Sequence, residues 1–496
     1  MRTRKNSIAI RRGFPPCCPF TAEFRHIPAE EKGVKKRTAG LLPLYLELYD
    51  RVEPEARGRM EAFLGTVAGE LRNRNIEVLD LPICRLKEEF ARAVALCEAS
   101  GVDAIITLHL AYSPSLEAAE VLAATELPLI VLDTTPSYGF GPGQKSSEIM
   151  FNHGIHGVQD LCNLLKRKGK KFFIEAGHWR ESDVVDRIAS RLSGAAAASA
   201  MRGARVGSVG EPFPGMGDFA LSPERLKADL GMETVFYDFA AGEKRLAFVS
   251  DAEVEAEIAS IGDTVLADGV SPAALRETVR IGLALRGWML ENGLTAFTVN
   301  FLATDAQPAL PRMPFLEACF SMARGIGYAG EGDVMTAALV GALLSVLPET
   351  TFTEMFCPDW EHDAVFLSHM GEMNTALMAD LPRLAEQDFT YTRSENPVAA
   401  YGRLKTGDAC LVNLAPGAGG RYSLILIPGS IPETTDEDTM GDTVRGWFKS
   451  ALPLPEFLQR YSLAGGTHHI ALSYGKVLRE LETFAALMGW DLVVIA

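Results

Sequence analysis

No apolar run in the chain approaches the ~20 consecutive residues that a bilayer-spanning helix requires, so no membrane segment is expected. No cysteine stands in a CxxC pair. The eight, at 17, 18, 84, 97, 162, 319, 357 and 410, are scattered, most of them in apolar segments where the thiol behaves as a small hydrophobe, which fits a reducing cytoplasm. Positive charge is in deficit: the formal net charge of −16 argues against a general nucleic-acid binder, because neutralising phosphates needs clustered Lys and Arg. A neutral or locally cation-assisted small ligand fits better. The dinucleotide-binding fingerprint is missing, and no internal repeat is clear enough to use.

The rest is an ordinary globular composition, 47% hydrophobic and 23% charged, far from that of disordered chains. At about 150 residues per domain, 496 residues suggest roughly three domains. Residues 1–40 differ: "MRTRKNSIAIRRGFPPCCPF" and "EEKGVKKRTAG" are basic, contain proline and keep no period, and "SIAI" is too short for a signal-peptide core. They are expected to form a disordered or mis-started leader, with a targeting or interaction arm as the alternative and Cys17-Cys18 as incidental. From residue 41 strand-like runs such as "VDAIITLHL" and "LPLIVLD" alternate with helical periods, the pattern of a parallel sheet covered on both faces. The expected fold class is α/β: two doubly wound Rossmann-like domains, 41–205 and 206–350, followed by a mixed, mainly antiparallel β-rich domain, 351–496, that carries much of the site. "ACLVNL" and "RYSLILI", joined by "APGAGG", read as a hairpin of that last unit. Gly207, Gly210, Gly215 and Gly217 form a glycine-rich turn that either cradles a phosphate or merely lines a pocket. His109, near a strand end, either lines a site or is a satisfied core histidine.

Chemistry concentrates in four segments. In "GYAGEGDVMTAAL", residues 327–339, Glu331 and Asp333 stand among glycines before an apolar helix. Helix capping accounts for Asp333 but not for Glu331. In "TFTEMF" strand alternation places Phe352, Glu354 and Phe356 on one face, and a carboxylate between two phenylalanines is costly to bury unless it is protonated, hydrogen-bonded or bound to a cation. "AVFLSHMGEMN" delivers His369 to a strand end, and "AGGTHHIALSYG" presents His468 and His469. Neighbours on a strand point to opposite faces, so only one of this pair is expected to be a ligand. Two carboxylates and two imidazoles suit Mn²⁺ or a similar divalent cation with room for a substrate's oxygens. Scattered polar residues in turns are the competing reading.

In this order and separation the four segments resemble the metal-site segments of the L-arabinose isomerase family, related to L-fucose isomerase. "LHLAYSPSLEAAEVLAATELPLIVLDT", "NHGIHG" and "FFIEAGHW" resemble that family's amino-terminal domain, and the likeness spans residues 41–496. The resemblance implies a metal-dependent aldose-ketose isomerase. It makes Glu331, Glu354, His369 and His469 the metal ligands and the two glutamates the proton-transfer pair. It implies Mn²⁺, with Co²⁺ or Mg²⁺ as alternatives, and sugar contacts at His156, His153, Met216, Phe301 and His468. It also implies a homo-oligomer, trimer or hexamer, in which His156 reaches a neighbouring subunit's pocket; no nucleic-acid or membrane partner is expected. Two departures fall on sugar-contacting positions: "LYLELYD" replaces a Gln-His-containing strand end, and Asn152-His153 replaces Asn-Gln. The sugar is therefore left open between L-arabinose and a related aldose such as L-fucose. A non-catalytic sugar-binding or regulatory protein, or an epimerase, remains the alternative.

Overall fold

The computed structural model describes residues 36–434 and 437–496. Most of the expected leader, with Cys17 and Cys18, lies outside the described residues. The leader was expected to run to residue 40, yet the first strand already starts at Arg37, where the chain pairs with its neighbour.

Five parallel strands, β1 (Arg37–Leu44), β2 (Ile76–Asp80), β3 (Ala104–His109), β4 (Leu129–Asp133) and β5 (Phe173–Ala176), form a sheet of order β2-β1-β3-β4-β5. Apolar residues are needed on both faces because helices cover both. Ala39 and Leu41 of β1 accordingly pack with Met60, Phe63 and Val67, while Leu42 and Leu44 pack with Phe90, Leu122 and Leu161 on the other side. The stretch "LYLELY" is strand only to Leu44; Glu47–Val52 is a short helix. The buried helix Val184–Arg202 then leads to a second parallel sheet of order β10-β9-β6-β7, built from β6 (Arg205–Val209), β7 (Glu233–Phe236), β9 (Ala296–Val299) and β10 (Gly327–Gly330).

The intervening strand β8 (Leu266–Gly269) leaves that sheet and pairs in parallel with β13 (Arg383–Glu386), so the third sheet draws on sequence well before residue 351. That sheet also contains β11 (Thr350–Asp359), β12 (Ala364–Ser368), β14 (Val398–Arg403), β15 (Gly407–Pro416), β16 (Tyr422–Ile431), β17 (Val444–Ser450), β18 (His469–Tyr474) and β19 (Asp491–Val494). Its order is β19-β16-β15-β18-β11-β12-β17-β14-β13-β8, mainly antiparallel, and β15 with β16 is the expected hairpin. A further pairing, Gly429 with Ser450 and Ser430 with Lys449, joins β16 to β17 and closes six strands into a barrel. Leu367, Leu411, Ile425, Ile427, Phe448, Ile470 and Leu472 form its core.

Between the second sheet and the barrel lies the helix Val334–Leu344, buried at every one of its 11 residues. Each buried Leu or Val contributes roughly 1.5–3 kcal/mol relative to exposure. Gly327 and Gly341 let this helix lie directly on β10: a Cβ on Gly327 would stand 2.6 Å from Gly341 Cα. The segment holding Glu331 is thereby braced from behind.

Candidate functional site

The site forms where β10 ends and the buried helix begins. Glu331 has φ of +61° and Gly332 of +83°, a left-handed pair that ends the strand before Asp333 caps the helix. A non-glycine residue in this region costs roughly 1–2 kcal/mol, and here the backbone is held in place: Glu331 N donates to Val299 O at 2.9 Å, and Glu331 O accepts from Phe213 N at 2.9 Å. Gly332 N donates to Thr298 Oγ1 at 3.0 Å.

Strand register supplies the other groups. Glu354 on β11 lies opposite His469 on β18 and opposite Ser368 on β12, the residue just before His369. Directly opposed side chains on a sheet stand about 4.5–5.5 Å apart, so pairing brings together groups that are far apart along the chain. His469 Nε2 is 3.0 Å from Glu354 Oε1 and 3.6 Å from Glu331 Oε2. His468 Nε2 is 3.6 Å and 3.8 Å from the same two atoms, and His369 Nε2 is 4.0 Å from Glu354 Oε1. One donor atom from each of Glu331, Glu354, His468 and His469 lies within 4.8 Å of all the others.

Each imidazole is gripped at Nδ1 by its own carboxylate. Asp333 Oδ2 holds His469 at 3.0 Å, Glu372 Oε2 holds His369 at 2.7 Å, and Asp218 Oδ2 holds His468 at 2.6 Å. Glu372 is itself fixed by Tyr328, whose hydroxyl donates to Oε1 at 2.7 Å. Phe352 meets the rings of His369 and His469 edge-on at 4.8 and 5.0 Å, and Phe219 stacks flat on His469 at 5.0 Å. Burial pushes Glu354 up, but the close contact with His469, at 3.0 Å, and the neighbouring imidazoles outweigh it and hold the carboxyl below its ordinary range. Burial would lower His469, yet Asp333 and Glu354 raise it to about 10. His369 is also raised, Glu372 prevailing over burial.

Three readings of the sequence need correction. Phe356 does not help to bury Glu354: the ladder shifts register between Met355 and Cys357, and Phe356 is exposed. His468 and His469 do not point to opposite faces, because β18 begins at His469; His468 lies before it, free of strand alternation, and joins the same cluster. Asp333 caps the helix, its Oδ1 accepting from Thr336 N at 2.9 Å, but its other oxygen holds His469.

The remaining candidates are not among those four grouped residues. His153 precedes the helix Gly154–Arg167, 3.0 Å from Tyr49 Oη, with its ring 5.3 Å from that of the exposed His156. Both stand on the amino-terminal sheet's carboxyl side. Phe301 is buried with its ring 5.3 Å from Phe213, and Met216 N donates to Phe213 O at 3.3 Å. His109 is a core histidine, but not a satisfied one: both ring nitrogens are buried without partners, and burial pushes its pKa down to about 3. The glycine-rich turn carries Asp218 and Phe219 onto the His468-His469 pair, as a turn lining a pocket does. Asp218, Phe219, Glu372 and Tyr328 were not singled out from sequence; only Glu372, three residues after His369, left a local trace.

The chain's curated relatives place it among the aldose-ketose isomerases, and its doubly wound layers, mixed β-barrel and carboxylate–imidazole cluster accord with that class. The family model of the L-arabinose isomerase central domain matches residues 226–348 and that of the C-terminal domain residues 349–491. The chain belongs to the L-arabinose isomerase family. It is 26% identical to the L-arabinose isomerase of Geobacillus thermodenitrificans over 463 residues, 89% of this chain and 91% of that one. With the L-arabinose isomerase of Bacillus subtilis it shares 24% identity, covering 79% of this chain and 80% of the relative. A solved ABC-transporter solute-binding protein from Agrobacterium vitis, bound with α-D-tagatopyranose, covers 63% of this chain and 89% of its own at 12% identity, but a TM-score of 0.15 gives that likeness no weight.

Proposed function

We propose that the chain is a divalent-metal-dependent isomerase that interconverts L-arabinose, or a closely related aldose, and its ketose. The observation that carries this reading is an orphaned inward-facing pair: Glu331 Oε2 and His469 Nε2 are buried, stand 3.6 Å apart and lack hydrogen-bond partners. Leaving such groups unpaired costs about 1–3 kcal/mol each, and a cation offsets that cost. The mixed oxygen and nitrogen set suits Mn²⁺, with Co²⁺ or Mg²⁺ as alternatives. Glu331, Glu354, His369 and His469 would hold the ion, which when bound supplies a Lewis acid for two neighbouring sugar oxygens.

The protein's own groups do the rest. One of the two glutamates removes the proton from C2 of the open-chain aldose, and proton return at C1, with the hydroxyl proton passing from O2 to O1, gives the ketose through an ene-diol. Asp333 and Glu372 keep His469 and His369 turned inward, and Phe352 and Phe219 wall the site against water. His156, with His153, would meet the sugar of a neighbouring subunit in a trimer or hexamer. The contact between Tyr49 and His153, in place of the family's glutamine, favours a sugar other than L-arabinose itself as a second reading. Six free thiols among the described residues accord with a cytoplasmic enzyme, and no helix among them is long and apolar enough to cross a membrane.

A panel of aldoses assayed for ketose formation with Mn²⁺, and again with chelator, tests the proposal. Turnover that needs the cation is expected, and each of Glu331→Gln and Glu354→Gln should lose at least about 100-fold in kcat while remaining folded. Full activity in either variant, or an unchanged rate in chelator, would sink it.

A further inference from the structure

Residues 210–221, between β6 and the helix Pro223–Leu230, contain no regular structure, yet they are anchored where the site is built. Glu211 O accepts from Asn300 Nδ2 at 2.8 Å, and Phe213 N donates to Glu331 O at 2.9 Å. From these anchors the loop reaches the barrel, where a single oxygen, Asp218 Oδ2, accepts from His468 N at 3.0 Å and meets His468 Nδ1 at 2.6 Å. An ionised carboxylate only accepts, so Nδ1 carries the proton that it donates to Asp218. Two contacts on one oxygen fix both the backbone and the ring of His468. The ring then has one free nitrogen, Nε2, buried and without a partner over Glu331 and Glu354.

His468 differs from the two other imidazoles. The side chains of His369 and His469 are 2% and 0% exposed, enclosed against Phe352, whereas that of His468 is 38% exposed. His468 therefore keeps part of its ring toward solvent while its Nε2 faces the carboxylate pair. A sugar lying over those carboxylates brings a hydroxyl to Nε2, and a hydroxyl can donate or accept as required.

We propose, on the isomerase reading above, that Asp218 is a positioning residue that holds His468 so that its Nε2 binds a substrate hydroxyl. The test uses the full chain with Asp218→Ala, Asp218→Asn, His468→Gln and the Asp218→Ala/His468→Gln double variant. KM, kcat, sugar affinity and Mn²⁺ affinity are measured, the last two by calorimetry. Asp218→Ala should raise KM and weaken sugar binding about tenfold, the worth of one good hydrogen bond, and leave Mn²⁺ affinity unchanged. Asp218→Asn, whose amide oxygen can accept the same two contacts, should retain most of the affinity. In the His468→Gln background Asp218→Ala should add nothing, a non-additivity that loss of loop packing alone would not give.

An unchanged KM in Asp218→Ala, or independent effects in the double variant, overturns the proposal. A parallel fall in Mn²⁺ affinity overturns it too, since His468 would then serve the cation. A wild-type protein that binds an aldose without converting it refutes the isomerase reading alone, because sugar affinity in Asp218→Ala still decides the role of Asp218. Binding of no aldose at all refutes both.

Discussion

Asp333→Asn separates two functions that share one side chain. Asp333 Oδ1 caps the buried helix through Thr336 N, and Oδ2 holds Nδ1 of His469, both residues being fully buried. Asparagine is about as good an N-cap as aspartate, so the cap survives, and losing the charge at the helix start costs only about 0.3–1 kcal/mol. With its oxygen kept on Thr336, the amide turns an NH₂ toward His469 Nδ1. In the neutral imidazole that cation binding requires, that ring nitrogen must then accept, so the single proton sits on Nε2, 3.0 Å from Glu354 Oε1. The lone pair that faced the pocket is replaced by an N–H. Loss of such an orienting partner costs about 10–100-fold in metal affinity, about 1.4–2.7 kcal/mol. Mn²⁺ titration calorimetry on wild type, Asp333→Asn and Asp333→Ala, with urea unfolding of each apo-protein, reads both terms. The expected result is weak Mn²⁺ binding in both variants, with an added loss of about 1 kcal/mol in stability for alanine alone. Wild-type Mn²⁺ affinity in Asp333→Asn would refute the reasoning and reduce Asp333 to a cap.

Two further perturbations probe the surroundings. In Gly330→Ala the new Cβ would stand 2.6 Å from His369 Cε1 and 3.0 Å from its Nε2, so the ring must move; turnover and Mn²⁺ affinity should both fall by at least about tenfold while circular dichroism stays unchanged, and unaltered kinetics would show that His369 is not needed where it stands. Glu317 is buried against Arg286, at 3.0 Å, and Arg324, and although burial pushes its carboxyl up, the two guanidinium groups hold it below the ordinary value of 4.5. A depressed carboxylate contributes stability above the unfolded-state value and loses it as pH falls through the folded one. Glu317→Gln leaves two cations facing a neutral amide and should cost about 3–5 kcal/mol at neutral pH, a gap that narrows below pH 4.5. Wild-type and variant stabilities that run parallel in urea titrations across that range would refute the assignment.

The parts of the fold that were legible are those in which local pattern and burial agree. The strand "AIITLH" reads as buried on both faces because helices cover both faces of its sheet, and the apolar run 334–344 reads as a core helix because nothing charged interrupts it. β8 was not legible: "LADG" is short and largely exposed, and its partner β13 comes more than 100 residues later. Barrel closure rests on two residue pairs at the far end of β16, which no periodicity announces.

The site divides in the same way. Glu354 and His369 stood out because each breaks an apolar pattern, but their meeting with His469 depends on the β11-β12-β18 register, which the family resemblance stood in for. His468 was misplaced because strand alternation was applied one residue before the strand begins. Asp333 was hidden for the opposite reason: the capping rule accounted for the residue so completely that its second oxygen needed no further explanation. Asp218 was passed over, since its partner lies 250 residues away and the turn that carries it was read through its glycines, as a phosphate cradle or a pocket lining. The residues that orient the imidazoles were thus less legible than the imidazoles. A ligand must interrupt an apolar surface and so leaves a mark in the sequence, whereas the acid that orients it can come from any cap, turn or loop that the fold brings within 3 Å.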